Sequence, residues 1–166
     1  MARTSPDPDP DHQGEVDLGI VDALAQLSFL VQARLARHAA VHEGSLVQTR
    51  LLGILRDRRP TMQELARLLD SDKSSVTGLV DRTEKRGLVQ RTPSPEDHRV
   101  IRVSLTPSGR RVVNEVAEAF ESDITAATAC LPSPDKKRLS ILATRLVHEL
   151  EASTSTRYPS GDRSGG

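Results

Sequence analysis

Between Leu88 and Leu105 the spacing of apolar residues changes from the helical period to a period of two, and at Thr106 it changes back. An amphipathic helix repeats its apolar face about every 3.6 residues and a strand every second residue. A chain that is helical on both sides of one short alternating stretch can hold a hairpin but no large sheet. The stretch "RVIRVSL" sets Ile101, Val103 and Leu105 on one face against Arg102 and Ser104 on the other, and "LVQR" (Leu88 to Arg91) supplies the partner strand. Between them, "TPSPEDHR" has two prolines and a run of charged side chains, the composition of a projecting tip.

Helical signals fill the rest. Ile20, Leu24, Leu27, Val31 and Leu35 form a long stripe that runs to about His42 and stops at Gly44. Ser45 with Gln48 is a capping box for a helix carrying Leu46, Leu51, Leu52 and Leu55, which Pro60 ends. Thr61 with Glu64 is a second capping box, ahead of Leu65, Leu68 and Leu69. In "SDKSSVTGLVDRTEKRG", Ser71 or Asp72 is the N-cap and Gly87 the left-handed residue that ends the helix. Val76, Leu79, Val80 and Thr83 form its buried face. Ser74, Gly78, Asp81 and Lys85 lie opposite, flanked by Thr77 and Arg82. After the hairpin, Thr106–Pro107 and Ser133–Pro134 each read as a cap with a first-turn proline. The stripes that follow are Val112, Val116, Phe120 and Ile124, then Leu139, Leu142, Leu146 and Leu150.

Aromatic residues make up 2% of the 166, so the core must be aliphatic, which suits helices. The apolar stretches fall short of the roughly 18 residues of a membrane span, and the N-terminus has no apolar signal region, so no membrane partner is expected. A single cysteine, Cys130, rules out an intramolecular disulfide and suits a reducing cytoplasm; a buried, inert thiol is expected there. His38 and His42 stand four apart on the first helix, but no third or fourth ligand accompanies them, so no metal site is expected. Neither a nucleophile–base motif nor a phosphate-binding glycine loop occurs, so neither enzyme activity nor a cofactor is expected.

Three short helices followed by a hairpin are the winged helix-turn-helix plan, with the helix-turn-helix at 61–86 and the wing at 88–105. Net charge is zero, but from Ser71 to Arg111 nine basic residues face five acidic ones, a local excess of four. The outward residues of the recognition helix are short and the longer cations sit at its flanks, which suits a major groove about 12 Å wide. Lys73, Ser74, Ser75, Thr77, Gly78, Arg82 and Lys85 are the expected DNA contacts on it. Asp81 is expected to pair with Lys85 or Arg82. A winged-helix dimerisation or protein-interaction module without DNA affinity is the rival reading.

"SSVTGLVDRTEKRGLVQR" followed by "PEDHRVIRVSLTPSGRR" resembles the recognition helix, wing and fifth-helix entry of the MarR family of bacterial transcriptional regulators. The most specific matches are V-T-x-L-V-D-R (Val76 to Arg82), K-R-G-L-V-x-R (Lys85 to Arg91), and D-x-R followed by L-T (Asp97, Arg99, Leu105, Thr106). The resemblance covers roughly residues 15–152, between disordered tails expected at 1–14 and 153–166. It implies a mainly α fold with a small β-hairpin: a winged helix-turn-helix DNA-binding lobe plus a helical dimerisation lobe built from 15–42, 107–130 and 134–152. It further implies a ligand-responsive repressor that binds a pseudo-palindromic operator of double-stranded DNA as a homodimer. In the wing, Arg91, Asp97, His98 and Arg99 are the expected DNA-binding residues: Arg99 would enter the minor groove, Asp97 would pair with Arg91 or Arg99, and His98 would touch phosphate. A small aromatic or anionic effector would sit near Arg34, His38, His42 and Arg50. Two residues depart from the family pattern: Gly78 stands where a larger polar side chain is common, and Thr83 where leucine is usual.

Overall fold

Caps and left-handed turns set the ends of most elements. The molecule is described from a computed structural model over residues 17–95 and 97–157; the tail expected at 1–14 and residues 158–166 lie outside that range. The elements are α1 (Gly19–Val41), α2 (Leu46–Asp57), α3 (Met62–Leu68), α4 (Lys73–Lys85), β1 (Val89–Pro93), β2 (Ile101–Leu105), α5 (Pro107–Ala127) and α6 (Ser133–Arg157). The architecture is mainly helical with one two-stranded antiparallel hairpin. Two compact units divide at Ala117, within α5.

In the first unit, Ser45 and Thr61 each complete a capping box, with Gln48 and Glu64 respectively. Asp72, rather than Ser71, caps α4. Gly87, at φ 68°, ends α4: its N–H donates to Glu84 and that of Leu88 donates to Thr83, the paired bonds of a Schellman turn. The same bond pattern ends α1 and α3, but there Glu43 and Asp70 take the left-handed conformation. The α1 turn therefore places its left-handed residue one position before the expected Gly44. Leu51, Leu55, Leu65, Val76, Val80 and Val103 form the heart of the core, and all four residues expected on the inner face of α4 are buried. Thr83 is fully buried, and its hydroxyl donates to the Leu79 carbonyl at 2.7 Å.

The hairpin pairs Val89 with Leu105 and Pro93 with Ile101. Its alternation is less clean than the sequence pattern. Ile101 is 40% exposed and Ser104 is 9% exposed, because Ile101 sits at the open end of the hairpin while Ser104 is covered near its base. Thr61 bridges to Arg102, which extends the hairpin edge towards the start of α3. α5 begins against the same hairpin. Thr106 donates its hydroxyl to the Gly87 carbonyl at 2.6 Å and its N–H to the Leu88 carbonyl, while accepting from the Gly109 N–H.

α1 runs largely unburied. Ile20 is 73% and Phe29 72% exposed, and only Ala39 in the helix is buried. Contrary to expectation, α1 is long and apolar enough to cross a membrane by length and composition, because only Asp22, Arg34 and Arg37 carry full charges along it.

The second unit contains the end of α5, a turn, and α6. α5 ends three residues before the expected 130, where Thr128 donates its hydroxyl back to the Ile124 carbonyl. α6 runs five residues beyond the expected 152, so 153–157 is helical rather than tail. After Pro134 in its first turn the sequence holds no glycine or proline before Pro159, so nothing local stops it sooner. Along α6, Ile141, Val147 and Leu150 are each more than half exposed. Cys130 lies in the turn and is exposed, not buried as expected, because the turn after α5 leaves it outside any core; its thiol is 3.6 Å from the Ala127 carbonyl.

A Cβ built on Gly109 would lie 1.9 Å from the Leu88 carbonyl oxygen, which is backbone and cannot swing aside. Gly109→Ala is therefore expected to cost about 3 kcal/mol or more, at the upper end of overpacking effects, read as the shift in a urea unfolding midpoint.

Candidate nucleic-acid interface

α4 presents its outer face because its inner face is fully used in the core. Lys73, Ser74, Ser75, Arg82 and Lys85 are exposed, and Thr77 and Gly78 are half-buried between them. The hydroxyls are less free than the sequence suggests. Ser74 and Ser75 both donate to the Asp72 carboxylate, the latter at 2.6 Å, and Thr77 donates to the Lys73 carbonyl at 2.7 Å. Their lone pairs still accept, so this end of α4 offers acceptors and backbone N–H groups with Lys73 as the adjacent cation. A Cβ at Gly78 would meet only the movable end of Arg82, at 3.2 Å, so the core does not require glycine there.

The hydrogen bonds from Ser74 and Ser75 hold the Asp72 carboxyl well below the usual carboxylate range. A depressed carboxyl pKa adds stability that is complete above the unfolded value and is lost as pH falls through the folded one.

Arg91 does not project to solvent with the other cations. Its guanidinium donates to the Asp81 carboxylate at 2.6 Å and to Glu84, and its own N–H donates to Glu84 at 3.0 Å. Burial works against its charge, but the hydrogen bonds and charges of Asp81 and Glu84 outweigh that and raise its pKa. Two expectations are corrected together. Asp81 pairs with Arg91 rather than with Lys85 or Arg82, and Arg91 is taken by α4 rather than by Asp97. The partners are seven and ten residues apart in sequence, so helix spacing could not reveal them.

Asp97 instead accepts the N–H of Arg99 at 3.0 Å, and its carbonyl accepts from Val100 at 2.9 Å, a turn that sets the wing tip. Asp97, His98 and Arg99 are exposed there. Behind the tip, Arg102 donates to Ser94 at 3.2 Å and to the Arg59 carbonyl at 3.1 Å, which ties the wing to the α2–α3 connection.

Of the residues expected around an effector, His42 and Arg50 face different neighbours. His42 lines a cleft between α2, the end of α1 and the start of α5, and approaches Glu115 at 3.5 Å. Arg50 turns away and donates to the Leu68 carbonyl on α3. The cleft has about 10 Å³ of space, room for a water molecule at most. Arg86, which the sequence did not single out, closes it by donating to Gln48 at 3.2 Å and to the His42 carbonyl. Among the described residues no group of three metal-ligating side chains occurs.

The family model of the MarR family matches residues 45–100, the stretch from the α2 cap through the wing tip. A crystal structure of a probable transcriptional regulator from Pseudomonas aeruginosa is 30% identical, with a TM-score of 0.61, over 80% of this chain and 99% of that one. The chain belongs to the MarR family. The HTH-type transcriptional repressor NicR of Pseudomonas putida is 32% identical over 101 residues, 56% of this chain. The match spans 64% of NicR, a little under two thirds of its length. A mutant of S. aureus MepR bound to an oligodeoxyribonucleotide shares the MarR fold at a TM-score of 0.56 and 18% identity, over 77% of this chain and 95% of that one.

Arg91→Ala should lower stability by about 1–2 kcal/mol, less than a fully buried pair would lose, because the half-exposed Asp81 is screened by water. Thermal melts check this: an Arg91 that served only to touch DNA would leave the melting temperature unchanged. Asp72→Ala should lower the melting temperature by a constant amount between about pH 5 and 8, and the gap to the parent protein should begin to narrow as pH falls below about 4 and close only well below the usual carboxylate range, where the folded carboxyl is protonated.

Proposed function

We propose that the chain is a transcriptional repressor of the cytoplasm that binds a pseudo-palindromic DNA operator as a homodimer. The observation that carries the reading is the outer face of α4: a short, polar surface with Lys73, Arg82 and Lys85 around it, on a helix whose inner face is wholly buried. Such a face fits a major groove, with the cations at phosphates and the small residues against base edges. The exposed Arg99 at the wing tip is assigned the adjacent minor groove and His98 a phosphate. Support also comes from NicR, named as a repressor, and from the DNA in the MepR structure.

The dimer follows from apolar surface. α1 and α6 each leave a series of large aliphatic side chains in water, more than a monomer ordinarily tolerates. A second copy would cover them, and a two-fold pair presents two recognition helices about 34 Å apart, one turn of DNA. A dimer interface also explains why α1 reaches the hydropathy of a membrane span.

Gel-shift titration against the DNA upstream of the chain's own gene is the test. Binding should occur as two chains per site and weaken steeply as salt rises. Arg99→Ala should cost about 1–3 kcal/mol of affinity and leave the melting temperature unchanged. Salt-independent binding without sequence preference would contradict the reading.

A further inference from the structure

We propose that the sheet face turned away from α4 carries a separate binding site for a small organic polyanion. Side chains alternate along β1, so the register that points Arg91 at α4 turns Gln90 and Thr92 to the other face. There they form the floor of an open cleft of about 500 Å³. Arg56, Arg58 and Arg59 from the end of α2 wall it on one side and Arg110 from α5 on another. The single acid on its lining is Asp57, 3.4 Å from Arg56, so three of the four positive charges are left uncompensated within the cleft. Among the described residues neither the Arg58 nor the Arg59 guanidinium has a hydrogen-bond or ion-pair partner, whereas Arg91 and Arg102 elsewhere on the hairpin are fully engaged.

Like charges around a concave surface repel one another, and the same walls focus their field on an anion in the cleft. Guanidinium groups favour carboxylate and phosphate oxygens, which they grip with two parallel N–H bonds. The neutral floor residues add hydrogen-bonding groups that discriminate orientation rather than charge. The volume falls within the roughly 300–1,000 Å³ range of small-ligand sites. The site is distinct from the cleft beside His42, which is closed, and from the α4 face, so it stands whether or not the chain reads DNA through α4.

Titration calorimetry on the full chain at low salt, with citrate in one arm and pyrophosphate in the other, tests the site. The expected result is saturable binding of at least one probe, one site per chain, weakening with salt. The arm that binds more tightly identifies carboxylate or phosphate as the preferred chemistry. The double variant Arg58→Ala/Arg59→Ala, both exposed positions, should keep the parent melting temperature without ligand and bind about tenfold or more weakly, a loss of about 1.4 kcal/mol or more. The charge-matched Arg82→Ala/Lys85→Ala variant should bind the probe normally. Absence of saturable binding in both arms overturns the proposal. So does an equal loss in the Arg82/Lys85 variant, which would mean diffuse surface charge, or a loss of DNA affinity in the Arg58/Arg59 variant without any probe, which would make the cleft a DNA-backbone contact.

Discussion

The ion pairs of Arg91 with Asp81 and Glu84 decide how the wing stands against the recognition helix. α4 and β1 are separated by a single turn at Arg86–Leu88. That turn reverses the chain but does not by itself fix the angle between helix and strand. Arg91, three residues past Leu88, reaches back to two successive carboxylates on the exposed side of α4 and also gives Glu84 its backbone N–H. A planar guanidinium held at two points resists rotation as well as separation. The other fixed points cluster at the same place: Gly87 in its left-handed turn, Thr106 bonded across to Gly87, and Gly109 pressed on the Leu88 backbone. Helix, hairpin and α5 therefore meet at one rigid corner.

What was legible in the sequence was local. Both capping boxes, the Gly87 stop, the proline-led start of α5 and the buried quartet of α4 depend on residues within two helical turns of one another, so spacing reveals them. What was not legible depends on long-range meetings. The partner of Asp81 lies ten residues away across a turn, and Arg86 reaches back 44 positions to His42. Glu43 and Asp70 take the left-handed conformation with no glycine at either position to signal it, and each completes the paired bonds of a Schellman turn. Spacing gives no reason for glycine at 109; the packed backbone of Leu88 supplies it. Among the expected contacts, the recognition-helix set lies on one exposed face and Arg91 does not belong to it; of the expected effector residues, His42 and Arg50 face different neighbours.

The exposed surface of the chain carries as much information as its core. The small winged lobe buries its apolar residues almost completely, while α1 and α6 each leave theirs in water. The contrast separates a lobe whose apolar residues are covered from helices whose apolar residues are left exposed. The neutral overall charge fits this arrangement. The excess of cations from 71 to 111 is local, and within it Arg91 and Arg102 serve structure, while Lys73, Arg82, Lys85 and Arg99 are exposed on α4 and the wing tip.

The central claim is that one rigid surface, made of α4 and the wing tip, meets DNA. Amide hydrogen exchange on the full chain, free and with duplex DNA from upstream of its own gene, tests it most directly. Slower exchange should appear at the start of α4, residues 73–78, and at 97–100 of the wing, with little change in the buried strands. Protection confined to other elements, or no change on adding DNA, would contradict it.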